Sequence, residues 1–288
     1  MVSSRFDPTL FAVPSGLDYY CVVGNPVAHS LSPKIHAMFA RATGEALVYD
    51  KVRVPEGDFA AALAAFVSRG GRGMNVTVPF KADARAAADE VSARADRAGS
   101  VNTILVLEDG RTLGDNTAGI GLVTDLSVNL RLELSGATIA LIGAGGAARG
   151  VIGPLLDAGE ASLTVLNRHR ARALALASAC SDPRISGDGL ETEPREPVDL
   201  VVNATSSGLG GTRPEIAAGW IDGRTFCYDM VYGEGVAPFL SWARELGARS
   251  TADGLGMLVE QAAEAFELWR GVRPETAPVI AALRAGID

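Results

Sequence analysis

Thirteen consecutive residues, Thr138-Ile-Ala-Leu-Ile-Gly-Ala-Gly-Gly-Ala-Ala-Arg-Gly150, constrain the fold of this chain more than any other stretch. An unbroken apolar run, Thr138 to Ile142, passes directly into Gly143, Ala144, Gly145, Gly146 and Ala147 and then into helix-prone residues as far as Leu156. Strand, glycine turn and helix in that order suit the pyrophosphate of a dinucleotide. Gly143 allows the tight turn, Gly145 lets backbone approach phosphate, and Ala148 permits close packing of helix on strand. The first amides of the helix then face the anion. A plain strand-to-helix turn also carries two or three glycines, so the cluster alone leaves both readings open.

The next apolar run bears on that choice. About 20 residues further on, where ribose recognition is expected, Ser162-Leu-Thr-Val-Leu166 ends in Asn167-Arg168-His169-Arg170-Ala171-Arg172. An NAD site usually places Asp or Glu there to bind the ribose 2′-hydroxyl. This strand end has no acid and three arginines. It points to NADP(H), whose extra phosphate Arg168 and Arg172 would clamp through charge-assisted hydrogen bonds of roughly 1.5–3 kcal/mol each. The plainer reading is a solvated basic helix start, though unpaired cations sit badly at a helix N-terminus unless an anion joins them.

At 288 residues the chain has material for two domains with real cores, and its 48% hydrophobic and 6% aromatic content suits an α/β protein. A net charge of −8 argues against nucleic acid or anionic membrane as a general partner. No run reaches the roughly 18 apolar residues of a membrane span. Met1 to Gly16 lacks a signal-peptide apolar core and reads as a loose extension. Cys21, Cys180 and Cys227, widely spaced and without a CxxC, fit reduced thiols of a cytoplasmic protein. Three histidines with no HxH or HExxH give no expected metal site.

Taken in order, Tyr19 to Val23 reads as a buried strand, and a helix follows from about Lys34 to Thr43. Ser32 is placed to cap that helix with Pro33 at its first position. Capping does not account for Ser30, and two hydroxyls at i and i+2 ahead of a helix also suit a carboxylate; both readings stand. Leu47 to Val54 alternates as a strand, and Phe59 to Ser68 is an amphipathic helix ended by Gly70-Gly71. Gly73 to Lys81 reads as strand and turn. Lys81 is either a solvated surface charge or, in a partly desolvated cleft, a group able to exchange protons near neutral pH. A charged helix is expected over Ala82 to Ala95, a strand over Thr103 to Leu107, a hairpin turn at Glu108 to Arg111, and a bridging helix over Ile120 to Leu130. Val198 to Val202 and Phe226 to Met230 are further buried strands, the first ending in Asn203-Ala-Thr205-Ser-Ser-Gly208, where open α/β sheets bind ligands. A helix over Pro238 to Leu246 and a long terminal helix over Leu258 to Trp269 complete the pattern.

Nine segments, in order across roughly residues 19 to 270, resemble the shikimate dehydrogenase family. They are Gly24-Asn-Pro-Val-Ala-His-Ser-Leu-Ser-Pro33, Asn75-Val-Thr-Val-Pro-Phe-Lys81, Val101-Asn-Thr103, Gly114-Asp-Asn-Thr117, Gly143-Ala-Gly-Gly-Ala147, Asn167-Arg168, Asn203-Ala-Thr-Ser-Ser-Gly208, Tyr228-Asp-Met230 and Asp253-Gly-Leu-Gly-Met257. The resemblance implies reversible NADP-dependent reduction of 3-dehydroshikimate to shikimate, a step of aromatic amino-acid biosynthesis. It implies that Ser30 and Ser32 hold the substrate carboxylate and that Thr77, Lys81, Asn102, Tyr232 and Gln261 hold the ring hydroxyls. The same likeness puts Met230 and Gly254 near the nicotinamide, with Thr205 and the Gly143 to Ala147 turn on the cofactor. Two α/β domains around a cleft are implied, often in a homodimer. The expected division is an extension over 1–16, a substrate domain over 17–117 and 253–288 to which the terminal helix returns, and a Rossmann-type, doubly wound NADP domain over 118–252.

One position departs from the family. Its members read Asn-Thr-Asp-Gly where this chain reads Asn116-Thr117-Ala118-Gly119, so the acid that partners the lysine is absent. Lys81 remains available for proton transfer and for stabilising oxygen charge, but alanine cannot orient it. The expectation is a chain that folds and binds yet turns over slowly. Two other readings are a quinate/shikimate dehydrogenase and a catalytically silent ligand-binding homologue. A methylene-folate dehydrogenase, of related arrangement, has no use for the paired serines.

Overall fold

The apolar runs become the middle strands of two sheets, and the glycines and prolines between them become turns. The computed structural model describes residues 6–233 and 236–286. These fall into two units: the described residues up to Ala118 together with Val259–Gly286, and Gly119–Leu258.

The first unit contains β1 (Asp18–Gly24), α1 (Ser32–Thr43), β2 (Leu47–Arg53), α2 (Phe59–Ser68), β3 (Gly71–Val76), α3 (Lys81–Ala87), β4 (Glu90–Val91), α4 (Ala93–Ala98), β5 (Thr103–Val106) and β6 (Thr112–Asp115). They form a six-stranded sheet of order β2-β1-β3-β5-β6-β4. β2, β1 and β3 run parallel, whereas β5 is antiparallel to both β3 and β6. Its core gathers Tyr19, Phe66, Met74, Phe80 and Ile104, all fully buried.

After α5 (Ala118–Thr124) and a π-helical turn, Asp125–Asn129, the second unit alternates strand and helix: β7 (Thr138–Ile142), α6 (Gly146–Asp157), β8 (Ser162–Asn167), α7 (Arg170–Cys180), β9 (Ile185–Gly189), β10 (Leu200–Asn203), β11 (Phe226–Asp229), α8 (Ala237–Glu245) and β12 (Ser250–Ala252). The sheet order is β12-β11-β10-β7-β8-β9, and every neighbouring pair is parallel. Sequence order runs outward in both directions from β7 and β10, which is the doubly wound Rossmann arrangement with its switch point between those two strands.

α9 (Leu255–Arg270) and α10 (Ala277–Ala285) close the chain. The later part of α9 docks on the first unit through Trp269, whose indole donates to the Ile104 carbonyl at 3.0 Å and lies 4.8 Å from the Tyr20 ring. A Cβ on Gly73 would fall 2.4 Å from that indole, so only glycine lets the helix seat here. No helix among the described residues is long and apolar enough to cross a membrane.

Five local expectations are corrected. The segment read as a loose extension is packed down from Phe6 onward: Phe11 is fully buried with its ring 5.2 Å from Phe66, edge to face, while its first five residues lie outside the described residues. The helix expected over Ala82 to Ala95 is broken, because the Asp89 carboxylate accepts from the Thr112 amide and hydroxyl at 2.8 Å each and Glu90–Val91 pairs with β6. Ser92 then caps a new helix by accepting from the Ala95 amide. Ser32 is the first residue of α1 rather than its cap, which is Leu31. Finally, the bridging helix starts at Ala118, and α10 follows the helix taken as terminal; residues 287–288 lie outside the described residues.

Candidate active site

In the first unit Asn102 and Gln261, two of the residues singled out in the sequence, belong to one hydrogen-bond chain. The Tyr49 hydroxyl donates to Asn75 Oδ1 at 2.6 Å, and Asn75 Nδ2 donates to Thr103 Oγ1 at 3.1 Å. Thr103 Oγ1 donates in turn to Asn102 Oδ1 at 3.0 Å. Asn102, buried, sends Nδ2 to Gln261 Oε1 and to Thr117 Oγ1, each at 3.2 Å. β3, β5 and α9 thus present one continuous polar wall whose side chains are fixed by one another. Ser30 and Ser32 pair directly, Oγ to Oγ at 3.2 Å, and Ser30 Oγ also accepts from the Ser32 amide at 3.3 Å. Two hydroxyls held together at the start of a helix suit an anion with two oxygens.

Lys81 begins α3, and its carbonyl accepts from the Val101 amide at 3.0 Å, next to Asn102. The side chain is half-buried, its desolvation holds the ammonium below the usual lysine range, and no carboxylate lies within salt-bridge distance of it among the described residues. On the other side of Asn102, the Thr117 amide donates to Asn102 Oδ1 at 2.9 Å and the Ala118 amide to Asn116 Oδ1 at 3.1 Å. Asn116 is itself anchored on Ser100. Ala118 is therefore buried on a backbone held rigidly by the same wall that holds Lys81.

Asp115, the nearest acid in sequence, is fully engaged. Arg94 grips it with Nε to Oδ1 at 2.7 Å and Nη2 to Oδ2 at 2.5 Å, and Ser92 Oγ donates to Oδ1. Burial pushes this carboxyl up, but the hydrogen bonds from Arg94 and Ser92 outweigh it and hold it below the usual carboxylate range. It is thus unavailable to replace an acid at position 118. Substituting Arg94 by methionine strands a buried carboxylate, and the expected cost is roughly 3–5 kcal/mol of stability, read as a lower urea midpoint.

In the second unit, a cavity of about 740 Å³ opens at the carboxyl ends of β7, β8 and β10, lined by Gly143, Asn167, Arg168, Thr205, Ser207 and Arg213 among others. Gly143 has φ +117 and its Cβ position lies 3.3 Å from the Ala204 carbonyl, so no other residue fits the turn. Gly145, extended, precedes α6 with no side-chain cap, and the space beside Gly145 and Gly146 is open. The amides at that helix end therefore point into unfilled space, which suits phosphate. Ala148 is fully buried under α6 as a packing residue.

Of the three sequence-identified arginines, Arg170 is paired with Asp188 at 2.7 Å. Arg168 and Arg172 are exposed and make no ion pair among the described residues, but only Arg168 lines the cavity. Thr205 is fixed from below: Asn203 Oδ1 accepts from its amide at 3.1 Å and its hydroxyl at 2.7 Å, and Asn203 Nδ2 donates to Asp229 Oδ2 at 2.8 Å. Burial pushes Asp229 up to about 6, against the pull of the Val231 amide and Asn203. Met230 and Gly254 meet closely: a Cβ on Gly254 would lie 2.3 Å from the Met230 carbonyl, and the Gly254 amide donates to Val231 at 2.8 Å. Tyr232 belongs to this unit rather than to the one carrying the other substrate residues, and burial raises its phenol.

Sequence reasoning placed Asn203 at a ligand-binding strand end but missed Tyr49, Thr103, Asp229 and Arg213 as parts of these sites. For Asn203 and Asp229 a signal existed: each is a polar residue ending a wholly buried strand, and they are register partners. Arg213 carried no signal, since its place depends on a loop.

Comparison with known proteins gives a consistent answer. The family model for the shikimate dehydrogenase substrate binding domain matches residues 22–104. The model for shikimate / quinate 5-dehydrogenase matches 126–210, and that for the shikimate 5′-dehydrogenase C-terminal domain 254–284. The shikimate dehydrogenase (NADP(+)) of Alkalilimnicola ehrlichii is 51% identical over 268 residues, 93% of this chain and 98% of that relative. Among solved structures, an Ael1 enzyme from Pseudomonas putida superposes with TM-score 0.88 at 44% identity, covering 92% of this chain and 98% of that one. Shikimate 5-dehydrogenase from Thermus thermophilus, in complex with NADP(H) and shikimate, gives TM-score 0.83 at 36% identity, covering 93% of this chain and 99% of that one.

Proposed function

The chain belongs to the shikimate dehydrogenase family, and on that premise we propose reversible NADPH-dependent reduction of 3-dehydroshikimate to shikimate, divided between a substrate unit built on the first sheet and a cofactor unit built on the second. The observation that carries the assignment is the polar wall around Asn102, whose amide and hydroxyl groups suit a polyol ring; the same unit carries a hydroxyl pair suited to a carboxylate and, in Lys81, a half-buried ammonium with no ion-pair partner among the described residues. The second unit fits NADP: a glycine turn without room for a side chain, uncapped helix amides, and an Arg168 with no ion-pair partner among the described residues.

Ser30 and Ser32 hold the ring carboxylate. Thr77, Asn102 and Gln261 hold ring hydroxyls, a task the family likeness also gives to Tyr232. Lys81 moves the proton at the C3 oxygen and steadies charge developing there. When bound, the nicotinamide would supply the hydride; Met230 and Gly254 would flank it, Thr205 and residues 143–147 would hold the phosphates, and Asn167 and Arg168 would hold the adenosine end, whereas Arg172 does not line that cavity. Ala118 removes the partner that would orient Lys81, so the chain turns over slowly in this reading. That same alanine favours a second reading, a silent ligand-binding homologue. Unpaired thiols at Cys21, Cys180 and Cys227 suit the cytoplasm, and a homodimer, inferred from the family, is read by sedimentation.

The test is NADPH oxidation with 3-dehydroshikimate, run beside quinate with NAD and NADP. Activity confined to quinate would overturn the assignment in favour of a quinate enzyme. Within the proposal, Ser32→Ala is expected to raise KM for 3-dehydroshikimate about tenfold or more with kcat little changed, since the carboxylate is bound alike in ground and transition states.

A further inference from the structure

Arg213 stands in the loop after β10, a position that no motif in the sequence marks. Its guanidinium lies 4.2 Å from the centroid of the Trp242 ring, and Nη1 donates to the Pro214 carbonyl at 3.2 Å. Cation–π stacking holds the side chain in one orientation while leaving donors of the planar fork unused. It lines the same cavity as Arg168, on the wall supplied by the Thr212 to Glu215 loop, whereas Arg168 comes from the end of β8. Glu191 and Glu215 also line that cavity, yet neither carboxylate is within ion-pair distance of Arg213 among the described residues.

Two cations left unneutralised on different walls of one cavity fit a ligand that carries a compact anion at that end. We infer that Arg213 is a second recognition residue for the 2′-phosphate of NADP, set by Trp242 to discriminate against NAD. The inference rests on the NADP reading of the second unit. A bidentate guanidinium on phosphate is among the stronger charge-assisted contacts, and one preorganised by stacking loses less side-chain freedom on binding.

Two fragments isolate the group without turnover: 2′,5′-ADP, which carries the 2′-phosphate, and 5′-AMP, which lacks it. Calorimetric titration of the full chain is expected to show tighter binding of 2′,5′-ADP. Arg213→Met, which keeps an apolar stem over Trp242, should weaken 2′,5′-ADP about tenfold or more and leave 5′-AMP unchanged. Arg213→Lys should recover part of the loss, because the charge returns without the fork; it also serves as the reporting variant if the methionine form fails to fold. Equal loss for both fragments would reduce Arg213 to a structural support of the loop and overturn the inference, as would no loss for either. A wild-type chain that binds the two fragments alike would overturn the NADP reading itself, and the role of Arg213 with it.

Discussion

Replacing Ala118 by aspartate is expected to raise kcat for NADPH-dependent reduction of 3-dehydroshikimate by about 10²-fold or more, with KM for NADPH unchanged. The backbone at 118 is already fixed by the Asn116 side chain and, one residue earlier, by Asn102, so a carboxylate introduced there needs no rearrangement of the chain. Lys81 is tied through its carbonyl to the Val101 amide, next to Asn102, and its half-buried ammonium has no carboxylate within salt-bridge distance among the described residues. Supplying the anion both orients the amine and offsets part of its desolvation. No other acid can already do this, because Asp115 is committed to Arg94 and Ser92. Steady-state kinetics on the two proteins side by side decide the matter. Equal turnover would show that the missing acid is not what limits this chain, and an inert Ala118→Asp protein would favour the silent ligand-binding homologue.

How much of this was legible beforehand depended on how local the cause was. The glycine turn, the strand Thr138–Ile142 and the helix Phe59–Ser68 follow from patterns within a few residues, and the structure has them at those places. Asn102 stood out only through the family likeness, and the same likeness decided between the two readings of Lys81, since neither spacing nor periodicity distinguishes a desolvated lysine from a solvated one. The break at Ala88 to Ser92 was invisible because every residue nearby tolerates helix; it is imposed by Thr112 and β6, which come about 20 residues later. Phe6 and Phe11 looked like part of a loose leader because Phe66, against which Phe11 packs and Phe6 packs through Phe11, is distant in sequence. The Arg213–Trp242 contact belongs to the same class. Short-range signals were readable; side chains fixed by long-range packing were not.

The pH dependence of turnover should move in a direction that only a proton-transferring Lys81 explains. Burial disfavours the ammonium, so the folded chain binds this proton less tightly than the unfolded chain does. Stability therefore rises with pH between the lowered folded value and the ordinary lysine value of about 10.4, where the unfolded chain holds the extra proton. Catalysis responds to the same equilibrium with opposite signs in the two directions. Ketone reduction needs the ammonium to give a proton, so its rate falls as pH rises through the lowered value. Shikimate oxidation needs the free amine, and its rate rises through that value. An aspartate at 118 favours the ammonium, which should carry both limbs roughly one unit or more toward alkaline pH. Lys81→Met in the Ala118→Asp background should abolish the limb and return kcat to the level of the chain with Ala118 or below. Profiles of kcat against pH for the three proteins test this. A limb that stays put when the carboxylate is added, or that survives loss of the amine, would assign the proton to some other group.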